Sequence, residues 1–422
     1  MPHLFLIPEW ITFVIFLLLP LWLLSSGKSK KIFFLGMVIL FTFDGLNTLV
    51  GNTSINALKL GAIASLILLP LLSPNNPKYF YLALLYPIWL ILRDLIAIYQ
   101  NSFSGPIYSL MTSAASLSII FGLICLAWLI ASKDSADAIL RRFVSIATAI
   151  LIFNTIVSVW QFLAFKFGLP INGINSAYSQ STNASLKWAA FRMAGELYFR
   201  PYSLYGEPKF LGAVTVVCFS FLMVANKLKF TSNKNVIITI STTLLIIALS
   251  ASTSAMLGFL LVSITLALSG NMPTRTAIIV VLGVCLGLLA TVLFFDLNAL
   301  IDNRINERLT SEDGTLEGHE QYYLEAWTSD IFSFIFGRGY AYFGSTATES
   351  GFRLIPNSPI IWMGVSGGVI AISLFFLTIC STRDIRYTLP IIFSLLAYNT
   401  NSSFFLALIF SYSIRRYLEN RS

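Results

Sequence analysis

Long apolar runs separated by short polar clusters dominate the chain. A helix that crosses a bilayer needs roughly 20 apolar residues. Runs of this kind fall at 9–26, 32–50, 55–73, 79–98, 108–131, 143–167, 210–226, 236–250, 252–269, 276–295 and 358–380. The stretch 388–414 is interrupted by the polar tip Asn399-Thr400-Asn401-Ser402-Ser403, so it reads as one long span or as two short ones meeting there. The pattern predicts an all-α polytopic membrane protein with about 12 or 13 transmembrane helices, a single integral membrane domain over residues 1–422. The first ten residues carry no Lys or Arg. A cleavable signal peptide needs a positive start, so the first run is expected to be kept as a span. Internal repeats are not apparent.

The polar clusters set an orientation. Lys28, Lys30 and Lys31; Lys78; Lys133, Arg141 and Arg142; Lys227, Lys229 and Lys234; Arg275; Arg383 and Arg386; and Arg415, Arg416 and Arg421 all fall on one side if the spans alternate and 388–414 makes two of them. Short loops rich in Lys and Arg face the cytoplasm, which places the N-terminus outside. Two long segments then lie on the outer, periplasmic side, about 168–209 and about 296–357. Both mix aromatics, glycines and charges, unlike a disordered linker. A helix is expected to open the second near Glu317 to Phe336.

Composition removes the soluble alternative. The chain is 56% hydrophobic and 11% charged, with a mean hydropathy of +0.79. Soluble domains carry roughly 25% charged residues, and a core this apolar could not be covered by so few polar side chains. The net charge of +8 does not point to nucleic acid, because the basic residues sit between apolar runs rather than on one solvated face. Cys125, Cys218, Cys285 and Cys380 lie in or at the end of apolar runs and read as packing or lipid-side residues without disulfides.

Charges inside spans are costly and mark a cavity or a pair. Arg93-Asp94 reads as a local or interhelical ion pair, and Asp44 as a residue near a polar cavity. The sequence lacks HExxH, a P-loop, an Asp-x-Asp motif and a Gly-x-Ser-x-Gly elbow. Its two histidines, His3 and His319, cannot make a multi-histidine metal site, and His319 reads as an ordinary loop residue. Neither a metal nor a soluble cofactor is expected.

What remains is arginine on the outer side. FRMAGELYFRPYSLYGEPKFLG, Phe191 to Gly212, places Arg192, Arg200 and Lys209 just before a span. FGRGYAYFG, Phe336 to Gly344, and GFRLIPNSPIIWMG, Gly351 to Gly364, supply Arg338 and Arg353 before another. These cations defy the positive-inside bias, and a guanidinium can grip two oxygens of a phosphate at once. A lipid diphosphate in the outer leaflet would lie at that depth. The competing reading is structural: Arg192, Glu196 and Arg200 are spaced i, i+4, i+8, as are Glu349 and Arg353 at i, i+4, so each set could be a salt-bridged helix, although Pro201 biases Arg200 away from helical geometry. Glu207 is either a general base or a charge near the start of the helix opening at Pro208.

The layout of many spans, two large outer loops each carrying Arg, and RPYSLYGEP-KFLG leading into a span resembles the O-antigen polymerase (Wzy-type) and O-antigen ligase superfamily of membrane glycosyltransferases. The SASTSAM run, Ser250 to Met256, and FGRGYAYFG followed by PNSPIIWMGVSGGV are similar to its motifs. The ligase branch has His-Asn, nine residues, then Gly-x-x-Gly. Here Asn357 is followed by Ser358 to Ser366 and Gly367, but Pro356 stands at the His position and Ile370 at the last Gly. The polymerase branch has Arg-x10-Gly, which Arg353 to Gly364 meets and Arg200 to Gly212 exceeds by one residue. The missing His favours the polymerase, with the ligase as runner-up.

The resemblance implies glycosyl transfer between two undecaprenyl-diphosphate-linked glycans, donor and acceptor, at the outer face of a bacterial inner membrane, with a chain-length regulator as a further partner. Charge grows on the leaving diphosphate, so fixed arginines are the expected stabilisers. On this reading Arg200, Arg353, Arg192, Arg338 and Glu207 serve catalysis. Lys209, Tyr202, Tyr205 and Asn357 bind substrate, and Arg200 and Arg353 hold the donor diphosphate. Tyr198, Tyr322, Tyr323, Trp327, Tyr340 and Tyr342 either stack on sugars or belong to an interfacial aromatic belt. A glycan flippase or transporter is the non-enzyme alternative, disfavoured by the lack of a repeat. A structural scaffold would leave the outer arginines unexplained.

Overall fold

A computed structural model describes residues 47–50, 53–56, 62, 66, 80–100, 107–169, 190–193, 196–203, 205, 208–250, 252–270, 316–345, 356, 358–396 and 404–420. In chain order the elements are β1 (Asn47–Val50), β2 (Thr53–Asn56), α1 (Phe80–Tyr99), α2 (Ile107–Lys133), α3 (Ala136–Phe167), β3 (Ala190–Met193), β4 (Glu196–Phe199), α4 (Pro208–Lys227), α5 (Asn233–Ser250), α6 (Thr253–Leu268), α7 (Leu316–Thr328), α8 (Ile331–Phe336), α9 (Tyr342–Ser345), α10 (Pro359–Cys380), α11 (Ile385–Leu396) and α12 (Phe404–Glu419). Among the described residues, three helical segments, Ala136–Phe167, Phe210–Lys227 and Pro359–Cys380, are long and apolar enough to cross a membrane, which is consistent with a helical membrane protein. The runs at 9–26 and 276–295, and Asp44, lie outside the described residues.

The helices follow the apolar runs, with corrections at their edges. The stretch 388–414 forms two helices, α11 and α12. The runs 32–50 and 55–73 are expected to be helical to their facing ends. Instead β1 and β2 pair as an antiparallel hairpin between Asn47 and Asn56, so the expectation of an all-α chain yields there. The sequence supplies the reason: Gly51-Asn52 stands between two tetrads, NTLV and TSIN, that each hold β-branched residues, and a Gly-containing pair between such tetrads favours a tight turn. Helix α3 starts seven residues before the apolar run, at Ala136, and its 32 residues span roughly 48 Å, more than a bilayer core requires. The helix expected near Glu317 to Phe336 is present, but Asp330 breaks it: α7 ends at Thr328 and α8 starts at Ile331, capped by the Asp330 side chain.

The chain divides into two units, Met1–Gly61 with Leu140–Thr310 and Ile385–Ala397, and Ala62–Ile139 with Ser311–Asp384 and Tyr398–Ser422. In the first, α4 is the hub, packed by α5, α6 and α11. Its residues Leu211 to Ala225 are all buried, as a helix apolar on every side must be. Phe143 of α3 stacks on Phe221 at 3.8 Å, and Phe219 meets Phe259 of α6 at 4.7 Å. Gly212 lies against Ala255, the kind of small-residue contact that lets membrane helices approach closely.

In the second unit α10 is the hub, touching α1, α7, α8 and α12, while α2 packs along α12. Phe375 joins Tyr86 and Phe410 at 5.3 and 5.4 Å. Several buried hydroxyls bond to carbonyls of their own helix, as Ser366 does to Trp362 and Ser413 to Ile409, so these enter an apolar interior satisfied. Helix α10 is broken at Gly368, whose φ of 68° is left-handed. That break frees carbonyls that Trp89 of α1 and the Arg338 N–H then satisfy.

Candidate functional site

The first arginine-bearing segment is a hairpin and a turn. β3 and β4 pair with Arg192 opposite Leu197 and Met193 opposite Glu196. This overturns the salt-bridged-helix reading of Arg192, Glu196 and Arg200, because the three residues do not share a helical face. The physical reason is Met193-Ala194-Gly195-Glu196, a Gly-containing connection between two aromatic-bearing tetrads, AFRM and ELYF, followed by a proline.

After β4 the chain runs through Arg200, half-buried, into a turn closed by the Tyr205 N–H donating to the Tyr202 carbonyl at 3.0 Å. The turn is locked from below by α3. Gln161 Oε1 accepts from the Tyr202 and Ser203 N–H groups at 3.0 and 2.8 Å, and its Nε2 donates to the Ser203 carbonyl at 2.8 Å. The Ser203 hydroxyl donates to Asn154 Oδ1 at 2.8 Å, and Asn154 Nδ2 donates to the Tyr205 hydroxyl at 3.3 Å. Ser203 has φ 55°, a strained conformation for a residue with a side chain. Such strain, about 1–3 kcal/mol, persists only where the surroundings over-determine it, and here every polar group of Ser203 is held. Phe199 stacks on Phe165 at 4.9 Å and completes the anchor. Tyr202 is buried, which pushes its phenol up to about 12. Tyr202 and Tyr205 therefore build the turn, and neither offers an open ring face for a sugar.

Asn154 and Gln161 do not stand out when only charges are sought. Asn154, Ser158 and Gln161 are fully buried and spaced i, i+4, i+7, a buried polar stripe on one face of α3. That spacing is the available signal, because uncharged polar residues inside a span carry the same message as charges.

The second segment is also pinned by residues inside a helix. Arg93 and Asp94 are expected to make a local or interhelical ion pair; the Asp94 charge does act on Arg93, and each residue also holds backbone of the loop after α8. Arg93 Nε donates to the Gly337 carbonyl at 2.9 Å, and Asp94 accepts from the Ala341 N–H. Trp89 Nε1 donates to the Gly367 carbonyl at 2.7 Å, and the Arg338 N–H donates to the Val365 carbonyl at 2.7 Å, so the carbonyls loosened at the α10 break are satisfied. Gly337, with φ 77°, crosses the break so closely that an added Cβ would lie 2.6 Å from the Gly367 and Gly368 nitrogens.

Arg338 is engaged within its own segment. Its Nε donates to the Ala326 carbonyl and an Nη to the Ser329 hydroxyl, both at 2.6 Å; it pairs with Asp330 at 3.8 Å and lies over the Tyr342 ring. Bracing α7 against the loop accounts for these contacts. Tyr342 shares a hydroxyl contact with Tyr322 at 3.0 Å, and burial followed by that contact pushes its phenol up. Of the other sequence-predicted residues, Lys209 lies in the first turn of α4, Arg192 in β3, and Glu207, Arg353 and Asn357 lie outside the described residues. Among the described residues, His, Cys, Asp and Glu form no group of three able to hold a metal. Cys125, Cys218 and Cys380 are free thiols.

Asp330 allows a pH prediction. The Ser333 N–H, then the Ser333 and Ser329 hydroxyls, hold its carboxyl at about 2, below the ordinary 3.8. A depressed value means that the cap contributes stability above the ordinary value and loses it as pH falls through about 2. The infrared carboxylate band that disappears in Asp330→Asn should therefore survive acidification well below 3.8. Protonation at the ordinary value would show that the cap bonds do not form.

No family model, curated protein or solved structure matches this chain.

Proposed function

We propose that this protein is a membrane glycosyltransferase of about a dozen spans that polymerises polyprenyl-diphosphate-linked oligosaccharide repeats at the outer face of a bacterial inner membrane. The observation that supports this reading is the Arg200 turn. A guanidinium that the charge pattern of the sequence assigns to the side where positive charge is disfavoured is carried by a turn that Asn154 and Gln161 fix onto a helix of membrane-crossing length. A pre-organised cation of this kind suits a reaction whose leaving group is a lipid diphosphate, because no reorganisation is needed as charge develops. An acceptor sugar hydroxyl attacks the anomeric carbon of the donor chain and gives its proton to a base, for which the sequence offers Glu207; the bond to the diphosphate oxygen breaks, and Arg200 stabilises the negative charge growing on the leaving diphosphate. The sequence assigns Arg353 the same role. Pro356, at the position where the ligase pattern has its His, weighs against the ligase reading.

Deletion of the gene and analysis of surface polysaccharide on gels tests the function. A single-repeat product is expected. Long lipid-linked chains left untransferred would mean a ligase, and loss of all outward product would mean a flippase. Orientation is tested separately: cysteines placed near 185 and 315 should label with an impermeant reagent in spheroplasts, and one near 230 should not. The inverse pattern would remove the diphosphate from the side where Arg200 lies.

A further inference from the structure

We propose that α8 is a membrane-embedded element, seated against phospholipid acyl chains in the leaflet at the Pro359 end of α10. This goes beyond the catalytic reading and does not depend on it. Helix α8 reads IFSFIF, and four of its six residues are exposed apolar side chains: Ile331 at 79%, Phe332 at 46%, Phe334 at 42% and Ile335 at 37%. Such a cluster on a watery loop would be an aggregation hazard. Its partner is indicated by its depth on α10, a helix long and apolar enough to cross a bilayer.

The Trp327 ring covers Gly364, five residues into α10, and Gly337 crosses Gly367, eight residues in. At 1.5 Å per residue, these contacts lie roughly 7 and 12 Å below the start of the helix. An interfacial helix buries its apolar face about 5–10 Å into the headgroup–acyl boundary, so α8 hangs at acyl depth rather than above the membrane. The polarity of the segment matches. Ser329, Asp330 and Arg338 bond to one another along one edge, suited to headgroups and water. The aromatic side is stiffened by the Phe334–Trp327 stack at 5.5 Å and by Arg93 lying under Phe332 at 5.5 Å. Helix α1, which carries Arg93, also exposes the apolar side chains Leu92, Leu95 and Ile96. Lipid tails alone need no specific pocket to cover such a face.

The test places single spin labels at Ile331→Cys and Phe334→Cys in the full-length chain with its native cysteines replaced, reconstituted in phosphatidylethanolamine–phosphatidylglycerol vesicles. Collisions with oxygen should exceed those with a water-soluble nickel chelate several-fold at both positions, with the ratio reversed at Glu325→Cys on α7. The unmodified protein gives a second reading: a phospholipid with a photoreactive group in its acyl chain should leave adducts on the peptide containing Ile331 to Phe336. A nickel-accessible α8 would place it in water. Inaccessibility to both reagents, without lipid adducts, would mean that another protein surface covers it. Either result overturns the proposal.

Discussion

Replacing Arg200 by alanine should cut repeat polymerisation by about a hundred- to a thousandfold, the usual cost of losing one fixed donor to transition-state charge, roughly 3–4 kcal/mol. Arg200→Lys should be impaired nearly as much, because lysine keeps the charge but loses the planar fork that grips two phosphate oxygens. The fold should survive both changes. The turn is held through the Tyr202 and Ser203 backbone and the Ser203 and Tyr205 hydroxyls, all of which both variants leave in place. The measurement is extension of lipid-linked repeats by purified protein, with thermal unfolding in detergent alongside. Normal extension by Arg200→Ala, at unchanged thermal stability, would remove the diphosphate contact and leave the turn a structural anchor.

Gln161→Leu should be nearly as damaging, by a different route. One side chain satisfies three backbone groups, the N–H of Tyr202 and of Ser203 and the carbonyl of Ser203. Each buried backbone group left without a partner costs about 1–3 kcal/mol. The left-handed Ser203 conformation then also loses the surroundings that enforce it. The turn should relax, with a lower melting temperature and Arg200 no longer presented in one place. Gln161→Glu keeps an acceptor for the two N–H groups but has no donor for the Ser203 carbonyl when ionised, so its loss should be intermediate. If Gln161 acts by positioning Arg200, the Arg200→Ala and Gln161→Leu losses in rate should be far from additive. Additive losses would separate the two residues, and wild-type extension by Gln161→Leu would show that turn rigidity is not needed.

The second segment explains why part of the site is hidden in the sequence. Arg93 and Asp94 stand out there as charges inside a span, and a local or interhelical ion pair is the natural expectation. Their backbone partners, Gly337 and Ala341, lie more than 240 residues away along the chain. A local pattern cannot reveal which distant carbonyl will be loosened by a helix break at Gly368. Likewise Arg338 reads as an outer cation in FGRGYAYFG, and only packing shows its guanidinium committed to Ala326, Ser329 and Asp330.

The sequence by itself determined the helical, apolar character of the chain, the division of 388–414 into two elements as one of two readings, and the segments that carry unusual arginines. These follow from hydrophobic length and from charge placement, which act locally and survive without a fold. Tertiary structure decided that Ala190–Phe199 is a hairpin rather than a salt-bridged helix, because i, i+4 spacing supports a helix only where backbone propensity and turn chemistry allow one. It also decided that Asn154 and Gln161 brace the Arg200 turn, and that α8 rests partway down α10. Those outcomes depend on which buried polar group finds which partner. In an apolar interior an unpaired polar group is costly, yet the choice among partners is made by packing between elements far apart in the chain.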